Sequence, residues 1–126
     1  MLTHASLTQA LGTRPFRFFP SISSTQNEAL GWLKGNAPQG AVVIADEQTA
    51  GRGRMGRIWH TPAGVALALS VILRPSPQGA KHVFMAGAVA VAEMLEELGI
   101  ADVDIKWAND VRIVGKKVCG VLPEAV

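Results

Sequence analysis

The segment Asp46-Glu47-Gln48-Thr49-Ala50-Gly51-Arg52-Gly53-Arg54-Met55-Gly56-Arg57 continues through Ile58-Trp59-His60-Thr61-Pro62-Ala63-Gly64 and lies between two apolar stretches. Upstream, Ala41 to Ala45 is a short, largely β-branched run bounded by Gly40 and by polar residues, the pattern of a buried strand. Downstream, Val65 to Leu73 reads VALALSVIL, too continuous for a half-exposed strand, which predicts a central strand covered on both faces and stopped by Pro75 and Pro77. Residues 46–62 are then a polar loop between strands. Glycines at 51, 53 and 56 carry no Cβ, so backbone N–H groups can close on a ligand. The interleaved Arg52, Arg54 and Arg57 offer planar donors for phosphate or carboxylate oxygens. Ordering such a loop costs about 1 to 2 kcal/mol of backbone entropy per residue, so an anionic ligand is expected to hold it closed. A closed loop would exclude water from a reactive intermediate. Read alone, it also fits a nucleic-acid binder.

Outward from this loop, residues 1–23 are loosely patterned. Ser24 and Thr25 then precede Glu28, an arrangement that caps a helix running through Ala29, Leu30, Trp32 and Leu33 to Gly35. Over residues 81–98, Val83, Phe84, Gly87, Val91, Met94, Leu95 and Leu98 fall near helical spacing, with Gly99 as the residue that ends the helix. Val103 to Trp107 and Val111 to Val114 read as strands joined through Asn109-Asp110, and Gly115-Lys116 turns the chain into a third strand over Lys117 to Leu122. The expected fold is α+β, a mixed β-sheet packed with helices. At 126 residues and 48% hydrophobic, the chain is the size of one domain, taken as residues 1–126.

The overall charge of +2, from 12 basic and 10 acidic residues, says little, but its local concentration in the arginine loop points to an anionic ligand. The single cysteine, Cys119, excludes a disulfide-stapled secreted scaffold and fits the cytoplasm. No activating histidine neighbours it in sequence, so it is read as a small core residue. The start of the chain lacks a signal-peptide pattern, and no apolar run is long enough to span a bilayer, so no membrane partner is expected. Lys106-Trp107-Ala108-Asn109-Asp110 sits at a strand end, where an ammonium, an amide and a carboxylate can serve a metal-bound triphosphate. The same residues also make an ordinary Asn-Asp turn.

GRGRMGR followed by Trp59 and the Thr-Pro-Ala-Gly turn closely resembles the signature of biotin protein ligases, within the biotin/lipoate ligase superfamily. Lys106 to Asp110 resembles that family's Lys-Trp-Pro-Asn-Asp motif with Ala108 in the proline position, and Gly115 to Leu122 resembles its next strand. Ser23 to Glu28 resembles its Ser-Thr-Asn segment, although Gln26 stands directly after Thr25 here. Three segments in the family's order cover most of the chain. The resemblance implies a class II aminoacyl-tRNA synthetase-like catalytic fold. It further implies ATP-dependent activation of biotin to biotinyl-5′-AMP and transfer to a lysine of a biotin carboxyl carrier protein, with ATP and Mg²⁺ entering as a substrate complex and no tightly bound metal.

By the same resemblance, Ser24, Thr25, Gln48, Gly51, Arg52, Arg54 and Lys117 contact biotin or its adenylate. Arg52, Arg54, Trp59, Lys106 and Asn109 serve the nucleotide, and Asn109 and Asp110 offer oxygens to Mg²⁺. Trp59 packs near the adenine or the loop hinge, or else belongs to the core. Lys117, with Arg52 and Arg54, would carry catalysis by neutralising charge that develops in the transition state. Ser24 doubles as a plain helix cap. A lipoate ligase shares the lysine and Asn-Asp features but lacks this arginine loop, and a noncatalytic biotin- or adenylate-binding module is the other alternative.

At both ends the sequence departs from the family. About 23 residues precede Ser24, too few for the helix-turn-helix domain of regulatory members, so no specific DNA binding is expected. The family's Gly-x-Gly-x-Asn segment and small C-terminal barrel have no counterpart, which reads as a truncated catalytic domain. Pro123 falls where the family's strand continues, so the sheet is expected to stop early, its open edge covered by self-association or by a second chain.

Overall fold

The computed structural model describes residues 1–107 and 109–126. Its elements fall into two compact units, Met1–Arg74 and Pro75–Val126, with mixed α+β content throughout. Ala108, at the proline position of the Lys-Trp-Pro-Asn-Asp-like motif, lies outside the described residues.

The first unit contains α1 (His4–Leu11), β1 (Phe16–Ile22), α2 (Thr25–Lys34), β2 (Val42–Gln48) and β3 (Ala68–Val71), in a sheet of order β1-β2-β3. β1 runs parallel to β2 through the α2 crossover, and β3 runs antiparallel to β2. Successive β2 side chains point to opposite faces, which divides this unit's core in two. Val43 packs with Ala29, Ala37, Ala41 and Ile72, against Trp32 and Leu33 of α2. Val42 and Ile44 pack with Leu7 of α1, against Phe16 and Phe18. The buried strand read at Ala41 to Ala45 is therefore the centre of the sheet.

Two readings need correction. The run VALALSVIL is not a central strand covered on both faces. Only Ala68–Val71 is strand, and it lies at the edge of its sheet, with Ala68 and Ser70 buried and Leu69 and Val71 exposed. Hydrophobic continuity suggested two covered faces, but the inward positions of β3 carry only small side chains against α2. The loosely patterned start is also ordered. Thr3 caps α1 reciprocally with Ser6, and β1 escaped detection because Pro20 and Ser21 interrupt its apolar residues at the end of the strand.

The second unit is α3 (Pro77–Glu97) followed by the antiparallel meander β4 (Val103–Lys106), β5 (Asp110–Ile113) and β6 (Lys116–Gly120). Ser76 caps α3 by accepting a bond from the Gly79 N–H at 3.1 Å, and Pro77 occupies the first turn, where it forfeits no helical bond. Ala88 and Ala92 bury against Val111, with Val103, Ile105, Cys119 and Val121 around them. A Cβ on Gly87 would stand 2.7 Å from Val121 Cγ1. Gly87→Leu is therefore expected to lower the melting temperature, because overpacking costs about 1 to 3 kcal/mol against the roughly 1 kcal/mol that leaving glycine adds to helix propensity. An unchanged or higher melting temperature by circular dichroism would show that α3 can move off the meander at no cost. Among the described residues, no helix is long and apolar enough to cross a membrane.

Candidate functional site

In the first unit, the start of α2, the end of β2, the arginine loop and β3 meet in a polar network. Ser24 is the N-cap of α2, 2% exposed, its hydroxyl accepting from the Asn27 N–H. The next residue, Thr25, is 3% exposed; its N–H donates to Gln48 Oε1 at 2.9 Å, and its hydroxyl oxygen lies 3.2 Å from the same atom. Gln48 Nε2 donates to Thr61 Oγ1 at 3.2 Å, so the carboxamide is held from both ends. On the other side, the Thr25 hydroxyl lies 2.9 Å from Ser70 Oγ, and Ser70 donates to Gln26 Oε1 at 2.8 Å. No buried side-chain nitrogen or oxygen among the described residues lacks a partner, which is the condition for a polar cluster inside an apolar unit to be tolerated.

The arginine loop grows directly out of β2 as an irregular hairpin. Gln48 pairs with Thr61 and Arg52 with Ile58 in isolated bridges, and the Trp59 N–H donates to the Gly51 carbonyl at 2.8 Å. The tip is a short 3₁₀ turn, Arg54–Gly56, with Met55 at φ 59° and Gly56 at φ 73°. Glycine adopts that conformation freely, whereas Met55 does so at a cost. Gly51 answers a different need. A Cβ there would lie 2.4 Å from the Trp59 carbonyl oxygen and 2.7 Å from Gln48 Nε2. Its Arg52 neighbour donates from Nη1 to Asn27 Oδ1, tying the loop to the first turn of α2. Arg54 and Arg57 are exposed on the tip, and Trp59 is half-buried.

The structure thus brings Ser24, Thr25, Gln48, Gly51 and Arg52 together, as the sequence motifs suggest, and places Arg54 farther out on the same loop. Four members escaped the sequence reading: Gln26, Asn27, Thr61 and Ser70. Ser70 left a visible signal, a lone hydroxyl inside VALALSVIL. Gln26, Asn27 and Thr61 lie inside the motifs quoted, but their bonding roles depend on contacts between segments distant in sequence.

In the second unit, Lys106 ends β4 and is exposed, in register with Asp110 at the start of β5. Lys117 Nζ lies 3.0 Å from Asp110 Oδ1. This pairing depends on an irregularity in β6. Val111 pairs with Cys119 but Arg112 pairs with Lys117, leaving Val118 as an extra residue. In an unbroken strand Lys117 and Cys119 would share a face; the bulge leaves Cys119 in the core and turns Lys117 to the charged face. Asp104 and Arg112 share that face in a two-bond pair at 2.7 and 2.8 Å, and the guanidinium holds the Asp104 carboxyl below its ordinary range. Asn109 is 5% exposed and donates from its amide to the Val121 carbonyl at 2.9 Å, while the Val121 N–H returns a bond to the Asn109 carbonyl. Asn109 is thus a clamp between the β4–β5 turn and the end of the meander. Burial raises the Cys119 thiol above its ordinary value despite the nearby Lys117 charge, which suits a packing role over a nucleophilic one. No cluster of three or more His, Cys, Asp or Glu able to hold a metal is present among the described residues.

The fold and first-unit site define an α+β protein with a carboxamide-and-hydroxyl network beside an arginine loop. The chain belongs to the biotin/lipoate A/B protein ligase family, whose model matches residues 18–126. It is 47% identical over 105 residues to the bifunctional ligase/repressor BirA of Bacillus subtilis, covering 82% of this chain and 32% of that protein. It is also 42% identical over 107 residues to a biotin–[acetyl-CoA-carboxylase] ligase of Paracoccus denitrificans, covering 81% of this chain and 43% of that protein. Among solved structures, the biotin protein ligase of Aquifex aeolicus in complex with biotin and ATP matches with TM-score 0.72 and 34% identity, over 88% of this chain and 47% of that one. The Leishmania major biotin protein ligase in complex with biotinyl-5-AMP matches with TM-score 0.79 and 26% identity, over 89% and 52%. The chain therefore spans about a third to a half of the length of these relatives.

Proposed function

We propose that this chain carries the biotin- and adenylate-binding part of an ATP-dependent biotin protein ligase working in the cytoplasm. The observation that carries the reading is the Thr25–Gln48–Thr61 network, which holds a carboxamide beside Gly51 at the root of an arginine loop. A fixed carboxamide with donor and acceptor side by side suits the N–H and C=O of a cyclic urea. The loop guanidiniums suit the carboxylate and phosphate at the ligand's other end. The Aquifex aeolicus and Leishmania major structures, with biotin and ATP or with the adenylate bound, support the same ligands here.

The biotin carboxylate then attacks the α-phosphorus of ATP, forming biotinyl-5′-AMP and releasing pyrophosphate. A carrier-protein lysine attacks the carbonyl of the mixed anhydride, forming an amide and releasing AMP. In this account Ser24, Thr25, Gln48 and Gly51 bind and orient the head group, and Arg52 and Arg54 take the negative charge of the adenylate. Trp59, Lys106 and Asn109 serve the nucleotide, Asn109 by holding the turn that carries its neighbours. Lys117 neutralises charge developing on the reacting oxygens. Mg²⁺ would enter with ATP as part of the substrate, and Asn109 and Asp110, the latter beside Lys117, would offer it oxygens. Calorimetric titration with biotin, with ATP and with a short oligonucleotide distinguishes this reading from a nucleic-acid binder. Heat with the first two and none with the third is expected; binding of the oligonucleotide alone would overturn it.

A further inference from the structure

We propose that Ser70 is a positioning residue that draws the Thr25 hydroxyl proton away from Gln48 and so leaves one Gln48 lone pair open to a ligand N–H. The proposal rests on the reading of Gln48 as a contact to the biotin head group and adds to it a residue of β3 that none of the sequence motifs includes.

Gln48 Oε1 has two lone pairs. The Thr25 backbone N–H takes one of them at 2.9 Å. The Thr25 hydroxyl, with a single proton, has two possible acceptors, Gln48 Oε1 at 3.2 Å and Ser70 Oγ at 2.9 Å. Ser70 gives its own proton to Gln26 Oε1 at 2.8 Å, an oxygen that can only accept. With the Ser70 proton on Gln26, the Thr25 and Ser70 hydroxyl oxygens, 2.9 Å apart, need the Thr25 proton between them, since two oxygens that close with no proton between would repel. The order Thr25 to Ser70 to Gln26 then leaves the second lone pair of Gln48 unfilled. The carboxamide keeps this orientation because the Thr25 backbone N–H can only donate and so needs Oε1 opposite it, which leaves Nε2 to donate to Thr61 Oγ1 at 3.2 Å.

Ser70 sits between Ala68 and Ile72 on the buried side of its strand, where alanine would pack without needing any partner. A buried hydroxyl has to be fully bonded to be tolerated, and this one is bonded in the sense that sets proton order. Without it, the Thr25 proton turns to Gln48 Oε1, and the ligand N–H meets an acceptor already in use.

The test is a double-mutant cycle read by calorimetric titration of biotin into the whole chain, with folding checked by circular dichroism. Ser70→Ala is expected to weaken biotin about threefold to tenfold, the equivalent of one net hydrogen bond. Ser70→Thr, which restores the hydroxyl, is expected to recover the affinity. In a Thr25→Val background there is no hydroxyl proton to misdirect, so adding Ser70→Ala should change nothing further; Thr25→Ala serves the same purpose should valine disturb the helix start. A Ser70→Ala loss that persists in either Thr25 background, or no loss at all, overturns the proposal while leaving biotin binding intact. Failure of the unaltered chain to bind biotin overturns the functional reading itself, and this inference with it.

Discussion

Gly51→Ala is expected to lower biotin affinity on the order of a hundredfold, equivalent to about 2.7 kcal/mol, while leaving the two cores folded. The added methyl would fall 2.4 Å from the Trp59 carbonyl oxygen and 2.7 Å from Gln48 Nε2. Neither atom can easily give way. The Trp59 backbone is fixed to Gly51 by its own N–H bond at 2.8 Å, and the Gln48 carboxamide is held at both ends by Thr25 and Thr61. Overpacking of this kind costs about 1 to 3 kcal/mol, and here the distortion is delivered to the head-group contact and to the root of the arginine loop together. Val42 to Ala45 and their α1 and α2 partners lie elsewhere on the strand, so the melting temperature should shift little. Calorimetry on the variant checks this; affinity equal to that of the unaltered chain would show that the loop root is free to open.

Lys117→Ala is expected to reduce adenylate formation by roughly a hundredfold, the scale seen when one preorganised donor to a developing oxyanion is removed, with little effect on stability. Lys117 and Asp110 are both partly exposed, and an exposed ion pair contributes about 0 to 1 kcal/mol. The charge would matter most in the transition state, so turnover should fall more than biotin affinity. Biotin-dependent pyrophosphate release measures it, and an unchanged rate would reduce Lys117 to a strut of the meander.

Much of this was legible in the sequence because the motifs coincide with element ends. Ser24 and Thr25 signal a helix start through ordinary capping chemistry, and the same hydroxyls line the site. GRGRMGR reads as a loop whose glycines let backbone N–H groups close on a ligand, whereas Gly51 is packed against the loop's own Trp59 carbonyl and Gln48, with no space for a side chain. Lys117 was found by resemblance, yet its orientation was not readable, since a bulge at Val118 decides which face it takes and bulges leave little local signature. VALALSVIL misled because continuity of apolar residues does not report which face is covered; the alternating burial of Ala68 to Val71 does. Ser70, Thr61 and Gln26 were invisible as a group because their association depends on tertiary contact between α2, β2 and β3, and no local rule joins residues 44 positions apart.

The most direct test of the account is to incubate the 126-residue chain with biotin and ATP labelled at the α-phosphate, and to follow biotinyl-5′-AMP and pyrophosphate together. Both products are expected in equal amounts, dependent on biotin and reduced in the Gly51→Ala and Lys117→Ala chains. Biotin-independent pyrophosphate release, or biotin binding with no adenylate formed, would contradict it.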